Sequence, residues 1–262
     1  MIGIIGGSGL YELFEPERTV EPETPYGPAS APIALARVGG VPTAFLPRHG
    51  ARHELPPHRV PYRANLWALR SAGVTRIVAP CAAGSLRREL APGTFVVCDQ
   101  FVDRTTGRAH TFFDGPEVRH VSAADPYCAD LRATLLGAGA ELGLPMHDGG
   151  TIVVIEGPRF STRAESAWFG AMGWDLVNMT AYPEGWLARE LGLCYANLSL
   201  VTDYDVGVAG APMHAAVTAQ AVLEAFAANI DRLRTLLATA VARIGEAPPG
   251  DACRQALDDA AL

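Results

Sequence analysis

The chain lacks an excess of basic charge. Of its 262 residues, 21 are Lys or Arg and 28 are Asp or Glu, for a net charge of −7. A nucleic-acid-binding surface of the usual basic kind is therefore not expected. No apolar run approaches the roughly 18 residues of a membrane span. The N-terminus has no basic n-region, so a signal peptide is not expected either. Five cysteines are scattered, odd in number and without a Cys-x-x-Cys pair, which suggests neither a zinc site nor a disulfide framework. The expectation is a reduced, cytoplasmic protein without nucleic-acid or membrane partners. No internal repeat and no linker divides the chain.

What is present is a large apolar fraction, 49%, against 19% charged residues. That suits one globular domain with a sizeable core. Strand-like runs rich in β-branched residues occur at 2–5, 33–38, 43–47, 76–79, 94–101, 150–155, 176–178 and 193–202. Helical spacing followed by a glycine marks 64–72, 130–142, 162–172 and 183–191. A last long helix, with a possible break, is expected from about 213 to 244. Alternating strands and helices predict an α/β fold with a largely parallel sheet. Residues 30–47 read as a hairpin turning at Gly39-Gly40, so the sheet should be mixed. The domain is placed at 1–245, and the tail 246–262, with Pro248, Pro249 and Gly250, is expected to pack loosely.

The most informative segment runs from Leu198 to Asp205. An apolar strand ends in two carboxylates, Asp203 and Asp205. Residues two apart in an extended chain share a side. Two adjacent acids at the end of a buried strand resist ionisation, which makes them candidates for a site. Their ordinary reading is a solvated turn.

Other polar clusters also follow strands. Gly6-Gly7-Ser8-Gly9 closes the first run; its amides and the Ser8 hydroxyl suit an anion. It lacks the Walker lysine and the Gly-x-Gly-x-x-Gly spacing, so a nucleotide P-loop is excluded. Arg48 and His49 follow the run at 43–47, and arginine's donor fork matches phosphate. His49, His53 and His58 invite a metal, but Gly50, Pro56 and Pro57 prevent a shared helix face, and no His-Glu-x-x-His exists. No metal is assigned. Glu156 to Ser161 follows another strand, with Phe160 either stacking on a flat ring or joining the core. Asn178-Met179-Thr180 follows a further one. In a parallel sheet such strand ends converge, and one shared pocket explains them all.

In order, these motifs are Gly6-Gly7-Ser8-Gly9, Arg48-His49-Gly50, Val60 to Asn65, Gly84 to Arg87, Asp99 to Thr106, Glu156 to Ser161, Asn178 to Thr180, and Thr202 to Asp205. The set resembles the methylthioadenosine phosphorylase branch of the purine nucleoside phosphorylases over nearly the whole chain. The resemblance implies a homotrimer of single α/β domains that uses no metal or cofactor. It implies phosphate attack on C1′ of a 5′-modified purine nucleoside such as 5′-methylthioadenosine. By motif position, phosphate would lie among Ser8, Arg48, His49, Cys81, Ala82 and Thr180. Base and ribose would lie against Met179, Asp203 and Asp205, with Phe160 beside the base. Ser161 and Ala219 match positions tied to substrate choice. His120 matches one that reaches into a neighbouring subunit's 5′ pocket.

The residue types agree with that chemistry. Phosphate is itself the nucleophile, so positioning and charge compensation suffice. The purine must leave with a proton or strong hydrogen bond at N7, and a protonated Asp203 can supply it. Two acids suit a 6-amino group better than a 6-oxo group. The chain also departs from the pattern. Cys81 replaces a threonine and is a weaker donor. Ala219 replaces a larger residue. The stretch 206–212 is long and glycine-containing, as a lid would be. The alternatives are a phosphorylase for inosine and guanosine, a nucleoside hydrolase, and a nonenzymatic nucleoside binder.

Overall fold

The computed structural model describes residues 1–7, 10, 15–206, 208, 217–247, 250 and 252–260. Among these residues lies one eleven-stranded mixed sheet flanked by seven helices. β1 (Ile2–Gly6) lies between β4 (Val41–Pro47) and β5 (Arg76–Ser85), parallel to both. β2 (Arg18–Val20) and β3 (Ile33–Val38) extend that edge in antiparallel fashion. The β3–β4 hairpin turns at Gly39 and Gly40, whose φ angles of 56° and 83° give the two-residue turn that the Gly-Gly pair predicts.

β5 is the hub. It pairs in parallel with β11 (Cys194–Tyr204) and antiparallel with β10 (Leu176–Asn178). β10 continues in parallel to β9 (Thr151–Ile155), which pairs in parallel with β7 (Gln100–Arg104). β6 (Phe95–Val97) joins β11, and β8 (Met146–Asp148) joins β6.

β1 shows why the sheet is layered. Its residues are all buried, as expected of a parallel strand covered on both faces. Ile2 and Ile4 pack into one core with α2 (Ala129–Glu141) and α6 (Ile230–Glu246), through Leu131, Leu135, Leu233 and Leu237. Ile5 packs into the other with α1 (Tyr62–Ser71) and α4 (Ala181–Glu190), through Leu66, Leu69 and Leu187. A third, smaller cluster seats α3 (Arg163–Ala171), by Phe169, on Val153 and Val177. Thr162 and Glu165 form a reciprocal capping box at the start of α3, which fixes the chain just after Ser161.

Several elements differ from the sequence expectation. The run at 94–101 is two strands, because the chain changes partner at Asp99, whose Oδ1 accepts from Gly150 N at 2.9 Å. β5 continues past Ala79 to Ser85 because β11 pairs along it to the end. The final long helix divides at Asn229 into α5 (Ala219–Ala228) and α6, and residues 213–216 lie outside the described residues. Within 246–262, expected to pack loosely, the chain forms α7 (Ala252–Asp258), which buries Cys253. No helix among the described residues is long and apolar enough to cross a membrane.

Candidate active site

A cavity of about 460 Å³ lies along β5 from Cys81 to Gly84. Three parallel strands deliver their carboxyl ends to it: β1 gives Gly7, β4 gives Arg48 and His49, and β11 gives Thr202, Asp203 and Asp205. β9, which leads to Phe160 and Ser161, and β10 are parallel to each other and arrive from the opposite direction, since β10 runs antiparallel to β5. β10 places Asn178, Met179 and Thr180 beside Cys81. Convergence of parallel ends therefore explains only part of the pocket. α5 closes the remaining side with Ala219, Val222, Leu223 and Phe226.

The basic end rests on a buried ion pair. The chain contains no lysine, so its side-chain cations are arginine and histidine. The guanidinium of Arg48 is buried. Its Nε donates to Glu184 Oε2 at 2.6 Å and its Nη2 to Oε1 at 2.8 Å. Nη2 also reaches Ile5 O at 3.1 Å, and Nη1 reaches Pro80 O at 3.3 Å. Tyr195 Oη donates to Glu184 Oε1 at 2.8 Å. Burial works against the Arg48 charge, but Glu184 outweighs it and keeps the guanidinium protonated. The positive charge of Arg48 is thus already balanced inside the protein. Its Nη1 also borders Gly7, where an added Cβ would sit 3.5 Å from it.

His49 is mostly buried. Burial, followed by the Arg48 charge, pushes its pKa down to about 4. Nδ1 lies 2.8 Å from Leu55 O, which can only accept, so the neutral ring carries its proton on Nδ1. His49 stacks on His53 at 4.5 Å between centroids. Thr180 is buried at the pocket wall. Ala82 lies on β5 beyond Val78, where pairing with β1 has ended. Cys81 also lines the cavity, but its sulfur is occupied. Asn178 Nδ2 and Asn197 Nδ2 both donate to it at 3.4 Å, and Ser199 Oγ is 3.4 Å away. The thiol belongs to a buried polar cluster, which leaves the local backbone as its contribution to an anion. Ser8 and most of the lid expected at 206–212 lie outside the described residues.

The acidic end is built by a bulge. β11 keeps register with β5 to Val201↔Ala83 and resumes at Asp203↔Gly84, so Thr202 is the extra residue. Gly84 makes room for the acids: a Cβ there would meet Asp203 Oδ1 at 3.1 Å and Asp205 Cβ at 3.4 Å. Thr202 Oγ1 donates to Asp203 Oδ2 at 2.8 Å. Burial raises the Asp203 pKa, the Thr202 hydroxyl opposes it, and the Asp205 charge adds to it. Desolvation, more than mutual repulsion, therefore favours the protonated acid. Burial also raises Asp205, against the nearby Ser166 and Ser161 hydroxyls. None of these contacts has good hydrogen-bond geometry, and Asp205 Oδ2, Ser161 Oγ and Ser166 Oγ remain buried without a partner among the described residues. Orphaned polar atoms of this kind call for a ligand.

Cys81 and Gly84 are three residues apart, so the two ends of the pocket stand roughly 10 Å apart along β5. Phe160, Met179, Val177 and Ile155 line the space between polar ends, which suits a flat, largely apolar group. Of the described residues that the resemblance places in the phosphate, base, ribose or 5′ pockets, only His120 lies away from this cavity; it is exposed, and its amide donates to Ala260 O at 3.4 Å.

Some contributors escaped sequence reasoning. Arg108 Nη1 donates to Met179 O at 2.9 Å and Tyr182 O at 2.8 Å, and Nη2 to Glu156 O at 2.7 Å. It ties the β9 and β10 ends together, and it directly follows the Asp99–Thr106 motif and Gly107. Val222, Leu223 and Phe226 repeat at helical spacing from Ala219, a signal that the same sequence carried.

Comparison with known proteins gives this geometry a context. The profile of the Phosphorylase superfamily matches residues 1–243. The S-methyl-5′-thioadenosine phosphorylase of Mycobacterium tuberculosis is 56% identical over 248 residues, covering 94% of this chain and 90% of the relative. A purine nucleoside phosphorylase of Streptomyces coelicolor is 54% identical over 251 residues, covering 93% and 89%. The methylthioadenosine phosphorylase of Schistosoma mansoni in complex with adenine superposes with a TM-score of 0.94 at 38% identity, over 100% of this chain and 98% of that one. The chain belongs to the phosphorylase superfamily, within its methylthioadenosine phosphorylase branch.

Proposed function

We propose that this protein cleaves the N-glycosidic bond of 5′-methylthioadenosine with inorganic phosphate, giving adenine and 5-methylthioribose 1-phosphate. The observation that carries this reading is the polarity of the pocket. Two acids with raised pKa values, Asp205 buried and Asp203 half-buried, stand at one end, and Arg48, His49 and Thr180 stand at the other. Phosphate binds at the basic end, among Arg48 Nη1, His49, Thr180 and the backbone near Ala82, with Ser8 from the preceding loop. The purine lies between Phe160 and Met179. Protonated Asp203 donates to N7 as the glycosidic bond lengthens and the sugar becomes cation-like. Asp205, whose Oδ2 has no partner among the described residues, accepts from the 6-amino group.

Phosphate is the nucleophile, so no base is required to activate water and no metal or other cofactor is assigned. The apolar wall of α5, with Ala219 at its start, faces the 5′ substituent and suits a methylthio group. In a cytoplasmic homotrimer, His120 would complete that pocket from the neighbouring subunit, and Ser161 and Ala219 would set its selectivity.

A second reading, cleavage of inosine or guanosine, is favoured by the Streptomyces coelicolor relative, which is named a purine nucleoside phosphorylase. Base release from methylthioadenosine and inosine, each with and without phosphate, separates the two. Faster phosphorolysis of inosine overturns the first reading, and release without phosphate overturns both. Light scattering that gives a monomer removes the role of His120.

A further inference from the structure

Three of the five cysteines meet at the end of the sheet remote from the acids. Cys128 immediately precedes α2, Cys194 opens β11, and Cys253 lies on α7. Their sulfur atoms all lie within 4.8 Å of one another. The Cys128 amide donates to Tyr195 O at 2.9 Å, which anchors the first two to each other. The three residues are 7%, 6% and 6% exposed, so the cluster is shielded but not sealed. A cavity of about 30 Å³ reaches it, bordered by Cys128, Cys194 and Arg76. That is room for a single water or ion.

We propose that Cys128, Cys194 and Cys253 form a binding site for a soft, thiophilic cation, of which monovalent copper is the fitting case. Thiolate sulfur selects such ions over hard ones. A structural zinc ion asks for four protein ligands, and no fourth His, Cys or carboxylate joins this group among the described residues. Each thiol that ligates gives its proton to solvent, and no change in oxidation state is involved. The resulting negative charge is offset by the start of α2, where helix amides point outward, and by Arg76 beside the cavity, against the opposing carboxylate of Asp130 in the first turn of α2. Arg76 is itself held by Nη1 donating to Ile244 O and Ala247 O. A bound ion would pin α7 to the start of β11. It would sit nine residues, or about 30 Å of extended strand, before Asp203.

The test uses the full-length protein, reduced and without oxygen. It is titrated with monovalent copper held by a chromophoric chelator. The wild type should withdraw one equivalent of copper, with three sulfur neighbours by X-ray absorption and a higher melting temperature. Cys253→Ser should bind at least tenfold more weakly and show fewer sulfur neighbours. Cys98→Ser removes a thiol whose sulfur lies 3.6 Å from Ser199 Oγ in a separate cluster, and it should bind as the wild type does. Failure of the wild type to withdraw copper overturns the proposal, as does equal retention by Cys253→Ser. A free-thiol count of three instead of five in protein isolated without reductant, traced to a disulfide within the cluster, also overturns it.

Discussion

Phosphate binding should carry a proton into the site. The free pocket has little positive charge to offer, because Glu184 already balances Arg48. His49, with a pKa of about 4, is neutral at physiological pH. Its Nδ1 proton is directed to Leu55 O, which leaves a lone pair on Nε2. A phosphate oxygen facing that lone pair is repelled unless one of the two is protonated. A single negative charge about 4 Å away interacts with imidazolium by about 4 kcal/mol at an effective dielectric near 20. That equals roughly 3 pKa units, and a second charge doubles it. His49 should therefore move from about 4 to between roughly 7 and 10 when phosphate binds. Isothermal calorimetry at about pH 8, in buffers of different ionisation enthalpy, reads the uptake directly. The wild type should take up between roughly a tenth of a proton, for a bound pKa near 7, and one proton, for a bound pKa near 10, per site. His49→Gln should take up none and bind phosphate more weakly. Phosphate binding without proton uptake in the wild type refutes the reasoning, and so does an unchanged uptake in His49→Gln.

Other consequences follow from the same geometry. Asp203→Asn should lower methylthioadenosine turnover at least a hundredfold, the usual scale for a lost general acid, and shift preference toward 6-oxopurines; the ratio of rates on the two bases checks it. Glu184→Gln strands a buried guanidinium and should cost about 3–5 kcal/mol of stability, read from the denaturant midpoint. The depressed pKa of His49 makes the unfolded chain the better proton binder between about pH 6.5 and 4. Without phosphate, its contribution of about 3 kcal/mol should be present above pH 6.5 and be lost as pH falls through that window. The raised pKa values of Asp203 and Asp205 act in the opposite sense, so the measurement is the wild-type midpoint minus that of His49→Gln at each pH. Gly84→Ala should disturb both acids at once, because the added methyl meets Asp203 Oδ1 at 3.1 Å, and kcat should fall more than the melting temperature.

Much of the site was legible because its residues sit where strands end. The apolar run from Leu198 ends in Asp203 and Asp205, the run at 43–47 ends in Arg48, and both patterns depend only on local sequence. The two-residue hairpin at Gly39-Gly40 was legible for the same reason. What sequence could not show was pairing at a distance. Nothing near Arg48 announces Glu184, 136 residues away, so an arginine read as a free phosphate clamp is in fact half of a neutral pair. Cys81 looked like a weakened donor, but its sulfur is taken by Asn178 and Asn197. The short strands β2 and β8 were missed because each is mostly exposed and carries no apolar run, unlike the equally short but fully buried β10, and α7 because Pro248, Pro249 and Gly250 precede it. The cysteine trio was invisible because its members are 66 and 59 residues apart in the chain.

The central claim is that one end of this pocket reads adenine while the other delivers phosphate to the sugar. Steady-state base release from 5′-methylthioadenosine, followed by absorbance with phosphate varied from none to saturation, tests it most directly. The account predicts saturable, phosphate-dependent release of adenine, with a rate from inosine at least a hundredfold lower. Release that ignores phosphate, or inosine cleaved as fast as methylthioadenosine, would contradict it.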